Sequence, residues 1–552
     1  MIFALPLVLF LAMIRVDAQV TTASISGIIS DSTGAVIPGI EATATQQETR
    51  FMRTAVADET GHYRIDFLPS GIYRIDVTTP GFKKFSQAGI VLDVNRNARA
   101  DAVLEVGGVA EEVSITADAP RVNTSDASIG STVSNREIVS LPLVNRDLYT
   151  LLTLTPGVDQ SDASNPLGSP AQISVVNGSS SGTGSITYYL DGGNNTAGLR
   201  NTGNSLPSPD AVQEFRVITN SYSAEFGRFA GGMVDVVTKS GSNNIHGSLF
   251  EFFRNDALNA NSWNASSKPA LHRNQFGGSL GGPLVKNRTF LFGSYSGLRQ
   301  RKDDFSNTAV VPTAAERLGD FSVSRVKPND PVTRLPFDGG IIPGYRLDPT
   351  ALNIIKTAIP VADAPNNFYG AIVPHPLDTD EVQFKADHQF SEVHELSGSY
   401  YRTAGEEVEG FPNPVPQGAL PWSRRAFKWT QQNINAGDTW TVSPALINQL
   451  RLTYVRNFGG RINSPAKSLA DFGSKFQVQG VPALPDIDVT GYFRLAQSIA
   501  GPAAGSNYYG LRELLSWYKR HHVLRVGAEL SLEKNIHDAL LNKYAGPDEA
   551  IS

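Results

Sequence analysis

Apolar residues recur along this chain at a spacing of two, in short runs closed by turn residues. In the first hundred residues the runs fall at 23–30, 40–46, 53–57, 63–68 and 73–78. Asp31-Ser32-Thr33-Gly34, Asp58-Glu59-Thr60-Gly61, Pro69-Ser70-Gly71 and Pro80-Gly81-Phe82 stand between and after them. These residue types supply positive φ, a preset φ or a side chain that bonds its own backbone. Turn signals about every 8–12 residues predict a β-sandwich over residues 19–107. Gly107-Gly108 breaks the pattern, VAEEVSITA at 109–117 reads as one more extended run, and a polar stretch follows to Thr132.

The period then lengthens. Ser134 and Glu137 have capping-box spacing, Ile138 and Leu141 share a face, and Pro142 closes the turn. Asn145-Arg146-Asp147 opens a second predicted helix, with Leu148, Leu151 and Leu152 inward and Pro156-Gly157 as the stop. Residues 172–177 and 185–190 are predicted strands around a Ser/Gly loop at 178–184, expected to be flexible. Residues 206–256 carry a Pro-rich turn, a strand at 214–219, a glycine-dense segment (Gly227, Gly231, Gly232), a second strand at 233–238 and an aromatic strand at 245–254.

Downstream, further strands are predicted at 274–284, 288–299, 381–390, 395–402, 429–442, 446–458, 511–520 and 523–533, with long polar or Pro-rich stretches between some of them. The last alternates strictly. Leu524, Val526, Ala528, Leu530 and Leu532 make one face, and Arg525, Gly527, Glu529, Ser531 and Glu533 the other. A lipid-facing barrel strand shows this pattern, and so does a half-buried strand in a soluble sheet. Tyr400, Tyr401, Trp429, Trp440, Tyr454, Trp517 and Tyr518 lie on or beside these strands, where they can form interfacial girdles or core.

Composition narrows the class. The chain has 552 residues, enough for several domains. With 50 glycines, 27 phenylalanines and 17 tyrosines and a mean hydropathy of −0.17, it suits an all-β protein with many turns. Basic residues number 47 against 53 acidic, scattered along the chain, so no electrostatic footprint for nucleic acid exists. Cysteine is absent, which excludes disulfides and thiolate metal sites. Residues 2–14 are almost wholly apolar, too few to cross a bilayer as a helix. Val16 and Ala18 resemble a signal-peptidase site, so cleavage is expected between Ala18 and Gln19. No Lys or Arg precedes the apolar run, which puts the assigned start codon in question.

The order of pieces from YYLDGG through EFRVIT to AEFGRFAGGMVDVVTKSG resembles the end of the plug domain in TonB-dependent outer-membrane receptors. LPLVNRDLYTLLTLTPGV and RNQFGGSLGGPLVKNRTFLFGSYSGLR are similar to the plug start and early barrel strands of the Oar-like subfamily. GIISDSTGAVIPG together with TGHYRIDFLPSGIYRIDVTTPGF resembles the carboxypeptidase regulatory-like domain, grouped with carbohydrate-binding-like folds. EEVSITA resembles a TonB box. It has two readings, the last sandwich strand or a box of Glu112, Val113, Ser114, Ile115, Thr116 and Ala117 that binds TonB by β-augmentation.

The expected fold is therefore mainly β: signal peptide 1–18, β-sandwich 19–107, TonB-box-like segment and linker 108–133, a small α+β plug 134–241, and antiparallel transmembrane barrel strands over 242–552. The resemblance implies a receptor in the outer membrane, contacting its lipid, that binds a small ligand, oligosaccharide or peptide at the outer face and draws on TonB. The competing class is a secreted or surface adhesin that binds glycans through the sandwich. No cofactor, metal site or catalytic residue is expected. His388, Glu392, His394 and Glu395 lack the second histidine of an HExxH motif, and His521-His522 point to opposite faces of a strand. About nine strands fall short of the roughly 22 that surround a plug, and the chain ends in Ala550-Ile551-Ser552. The expectation is a truncated or frameshifted product.

Overall fold

The computed structural model describes residues 22–537 apart from 95, 108–111, 117–128, 142, 144–145, 162–172, 177–185, 198–201, 222–230, 262–267, 364, 392, 410–417, 421–424, 444, 462–466, 477–486, 496–502 and 520–521. The expected signal-cleavage pair Ala18 and Gln19, the Ser/Gly loop at 178–184 and Ala117 lie outside the described residues.

Nine strands build the first unit: β1 (Ala23–Asp31), β2 (Glu41–Gln46), β3 (Met52–Val56), β4 (His62–Leu68), β5 (Gly71–Val77), β6 (Lys84–Leu92), β7 (Asn97–Arg99), β8 (Ala102–Leu104) and β9 (Glu112–Thr116). One sheet runs β4-β1-β7, with β8 also on β1, and the other runs β3-β2-β5-β6-β9. The inward positions of the alternating runs, among them Ile25, Ile29, Tyr63, Ile65, Tyr73, Ile75 and Phe85, meet in one core. Each such side chain contributes about 1.5–3 kcal/mol by leaving water. Two turns repeat one device. The Asp31 carboxylate accepts the N–H groups of Thr33 and Ala35, and Asp58 does the same for Thr60 and His62. These are the turns whose residue types marked them in the sequence.

The second unit holds β10 (Ile129–Ser134), α1 (Asn135–Ser140), a 3₁₀ segment (Leu148–Leu154), β11 (Val158–Ser161), β12 (Ile173–Val176), β13 (Ile186–Leu190), β14 (Gly193–Asn194), β15 (Thr196–Ala197), β16 (Thr202–Gly203), β17 (Val212–Asn220) and β18 (Gly232–Thr238). Its main sheet has the order β10-β17-β18-β13-β14, with β13 parallel to β18. Ser134 and Glu137 form the expected cap, the carboxylate accepting the Ser134 N–H at 2.9 Å. The second predicted helix winds as 3₁₀ instead. Thr150 and Thr153 hydroxyls donate to the carbonyls three residues back, of Asp147 and Thr150, which matches the tighter pitch. The polar stretch read as a linker supplies β10, paired along β17.

The third unit is an antiparallel meander: β19 (His246–Asn255), β20 (Leu271–Val285), β21 (Thr289–Val310), β22 (Phe368–Gln389), β23 (His394–Glu409), β24 (Arg425–Ser443), β25 (Leu446–Arg461), β28 (Ala503–Lys519) and β29 (His522–His537), with a small hairpin of β26 (Ile487–Asp488) and β27 (Arg494–Leu495) between β25 and β28. These nine strands follow one another in a single sheet whose outer members, β19 and β29, do not pair with each other among the described residues. Connections alternate in length. Those at 286–288, 390–393, 444–445 and 520–521 are short, and those at 256–270, 311–367, 410–424 and 462–502 are long.

One end of the sheet therefore carries tight turns and the other long loops. The long loops share a core of Ala309, Val311, Ile354, Ile359, Leu420, Phe472, Phe493 and Leu495, with Ile354 on helix α2 (Pro349–Ala358). Phe67 of the sandwich packs against Ile447 and Leu514 of the sheet.

Candidate functional site

The two faces of the large sheet differ in chemistry. On β24, Trp429, Gln431, Asn433 and Asn435 point to the concave side and are buried, whereas Ile434, Trp440 and Val442 on the other side are each 41 % exposed. β29 follows its alternation except at Ala528, which is buried. Leu524, Leu530 and Leu532 are exposed on the convex side, and Glu529 turns inward to pair with Arg512 at 2.6 Å. The aromatic residues sort themselves accordingly. Trp440 and Trp517 stand half-exposed on the convex face near the short-turn end. Tyr401 and Trp429 are buried on the concave side. Their sequence neighbourhoods look alike, and only strand register separates them.

The second unit sits against the concave face through polar contacts. Ser205 exchanges two hydrogen bonds with Gln431: its N–H donates to Oε1 at 2.8 Å, and its carbonyl accepts Nε2 at 3.2 Å. Asn433 donates to Asn195 Oδ1 at 3.1 Å, Asn435 to the Leu190 carbonyl at 3.0 Å, and Asn457 to Asn204 Oδ1 at 2.8 Å. Tyr401 donates to the Leu206 carbonyl at 3.0 Å. Asp191 and Gly192, both at positive φ, make the two-residue turn of the β13–β14 hairpin. Gly193 follows, where an added Cβ would lie 1.8 Å from Asn435 Oδ1. Only glycine lets the turn approach the sheet this closely.

Charge gathers at this turn. The Asp191 carboxylate accepts the Thr238 N–H at 2.9 Å and its hydroxyl at 2.9 Å, and lies 3.4 Å from Lys385 Nζ. Lys385 also donates to the Thr238 carbonyl at 3.0 Å, and Arg451 donates to the Asp191 carbonyl. Burial alone would raise the Asp191 carboxyl. The Lys385 charge and the Thr238 donors outweigh it and hold the group below the ordinary carboxylate range. Elsewhere in the same unit burial wins. It pushes Glu214 up to about 8 against the Val94 N–H and Asp235 up to about 7 against Arg216. A cavity of about 210 Å³ opens between the sandwich, this turn and the sheet, lined by Asp191, Thr238, Lys385, Asp387, Glu395 and Arg451 among others.

Sequence reasoning did not single out Lys385, Arg451, Gln431, Asn433, Asn435 or Asn457. The signal was present in β24 as three amides two residues apart, which a strand must place on one face. The segment read as a TonB box appears as β9, parallel to β6 with Lys84 opposite Glu112 and Ala88 opposite Thr116. Among the described residues it thus forms an edge of the sandwich sheet. The histidines weighed as metal ligands have separate partners. His388 bonds Thr289 at 2.9 Å, and His394 stacks on Trp440 with centroids 5.3 Å apart. Among the described residues no cluster of three or more His, Asp or Glu is arranged to hold a metal.

Comparison with known proteins bears on this arrangement. A family model described as an outer membrane beta barrel domain matches residues 237–546, and one described as a carboxypeptidase regulatory-like domain matches residues 24–105. The TonB-dependent transporter Oar of Myxococcus xanthus is 28% identical over 270 residues, which cover 46% of this chain and 24% of that protein. The chain thus spans about a quarter of the length of this curated relative. Among solved structures, the outer membrane transporter YddB from Escherichia coli aligns at 13% identity with a TM-score of 0.43, over 74% of this chain and 48% of that one. The ferric preacinetobactin receptor BauA from Acinetobacter baumannii aligns at 12% identity with a TM-score of 0.40, over 74% and 58%.

Proposed function

This chain belongs to the outer membrane beta barrel domain family, and on that footing we propose that it acts as a TonB-dependent receptor moving a ligand across the outer membrane. The observation that carries the reading is the two-faced sheet. Its convex side is apolar, as lipid requires, and its concave side is a row of amides and charges that seats a separate small domain. Long loops then face outward and short turns face the periplasm, as in other outer-membrane barrels. Residues 1–18 act as the export signal, cleaved between Ala18 and Gln19. Residues 19–107 form the periplasmic sandwich, 108–133 the box and linker, 134–241 the plug, and 242–552 belong to the barrel.

The mechanism makes and breaks no bond. Ligand enters at the long-loop end, and energy from the inner membrane reaches the chain when TonB adds a strand to Glu112–Thr116. The polar seat of the plug suits repeated release. Its amide–amide and amide–carbonyl bonds exchange readily with water, at about 0.5–1.5 kcal/mol each net. An apolar seat of the same area would have to expose its whole surface to open.

Binding of the periplasmic domain of TonB to the chain in outer-membrane vesicles tests the reading. Deleting residues 112–117 is expected to abolish binding while the chain stays in the outer-membrane fraction. Equal binding by the deletion variant would sink the box assignment.

A further inference from the structure

Two contacts in the sandwich adjoin the same strand, β6, one past its end and one along its edge. The first is in the turn that follows it. Both main-chain groups of Val94 are held by side chains two residues apart on plug strand β17. Its N–H donates to the two carboxylate oxygens of Glu214 at 2.9 and 2.8 Å, and its carbonyl accepts from Arg216. Val94, Glu214 and Arg216 are all buried. β17 is paired on one side with β10 and on the other with β18, so this pincer grips an interior strand of the plug sheet.

The second contact is β9 itself. It lies along β6 in parallel register, and among the described residues β6 is its sole neighbour. Among the described residues no strand pairs with its outer edge, the side on which another extended strand can add. The sandwich has further anchors. The Asn243 N–H, at the junction between plug and barrel, donates to the Glu48 carbonyl at 3.2 Å. Arg525 lies 3.8 Å from Asp66.

We propose that the sandwich is the docking element for the energy-coupling partner: the partner's extended strand joins the outer edge of β9, enlarging the β3-β2-β5-β6-β9 sheet by one strand, and the pull passes through β6 and the Val94 pincer into β17. This rests on the reading of Glu112–Thr116 as the TonB-binding segment, and adds that the segment works while still paired to β6. A strand drawn from its far edge transmits load to its neighbour along the whole ladder, so the sandwich moves first and the plug follows through Glu214 and Arg216. A box acting as a free peptide would instead leave β6 before any load reached the plug.

Hydrogen exchange on the full chain in outer-membrane vesicles, with and without the periplasmic domain of TonB, tests this. The expected result is slower exchange at 112–116 with exchange at 84–92 unchanged or slower. Slower exchange at 112–116 with faster exchange at 84–92 means that the box is peeled from β6; it overturns the inference and leaves the receptor reading intact. No change at 112–116 removes both. The pincer is tested without the partner. Glu214→Ala with Arg216→Ala is expected to speed exchange about tenfold at both 84–99 and 212–220, with strands β22 to β25 unaffected. Should that variant fail to assemble, Glu214→Gln with Arg216→Lys is expected to give a smaller change at the same two segments. A change confined to 212–220 would overturn the coupling.

Discussion

Asp191 and Glu214 are both buried carboxylates of the plug, yet their environments drive them in opposite directions. Asp191 sits beside Lys385 and two Thr238 donors and is held below its usual value of 3.8. A depressed acid stabilises the folded state above its unfolded value, and that contribution is lost as pH falls through the folded value. Glu214, facing the Val94 N–H, Asp93, Arg216 and Asp235, is raised from 4.5 to about 8. Its contribution is full below 4.5 and is lost as pH climbs through about 8. Plug stability is thus expected to peak in mildly acidic solution and to fall on both sides. Exchange of the β17 and β18 amides, corrected for intrinsic rate and followed from pH 3 to pH 9, measures it. Glu214→Gln should make the alkaline limb shallower, leaving the part that Asp235 contributes, and leave the acid limb in place. None of this was readable from the sequence, because EFRVIT gives the strand but not the turn of a distant sandwich that covers its acid.

At the scale of elements, the alternation of apolar and polar residues located all nine strands of the sheet, and the structure lengthens most of them at the long-loop end. β22 begins at Phe368, thirteen positions before the run at 381–390, and β21 continues to Val310. Beyond the lipid both faces of a strand are wet, so the period-two signal fades while the hydrogen-bond ladder continues. His375, Asp304 and Glu407, joined at 2.6 and 2.7 Å, lie on such extensions. The convex face gives a direct test. Leu452→Arg puts a charge where the neighbouring strand offers Ala436. It is expected to destabilise the sheet by about 2–4 kcal/mol, read as a lower urea midpoint in vesicles. The inward substitution Thr453→Ser, one residue away, should leave the midpoint unchanged.

Over the whole molecule, the changes of period along the chain mark the stretches proposed above as sandwich, plug and barrel, while β9 and β10, read as box and linker, pair with the first and second units. They do not mark the contacts between these units. Phe67 reads as an ordinary inward residue of β4, but it stands at positive φ and meets Ile447 and Leu514, both far onward in the chain. Likewise the long loops read as separate polar insertions because their few apolar residues are far apart in sequence. Folding brings Ile354, Phe472 and Phe493 into one cluster, and Asn353 donates to the Phe472 carbonyl at 3.0 Å. Phe472→Ala is expected to cost about 3–5 kcal/mol at that cluster. A protease added outside intact cells should then cut within 311–367 as well as within 462–502, whereas independent loops would be cut only at the mutated one.

The same shared core has a bearing on how the cell's outer surface can diversify. Loops that each stand alone can be exchanged one at a time, and a lineage can escape a phage or an antibody by altering a single tip. Here a change at the base of one loop alters the footing of two others. Variation should therefore be free at exposed tips such as Val323, Val332 and Tyr345, and arrive in matched sets at Ile354, Leu420, Phe472 and Phe493.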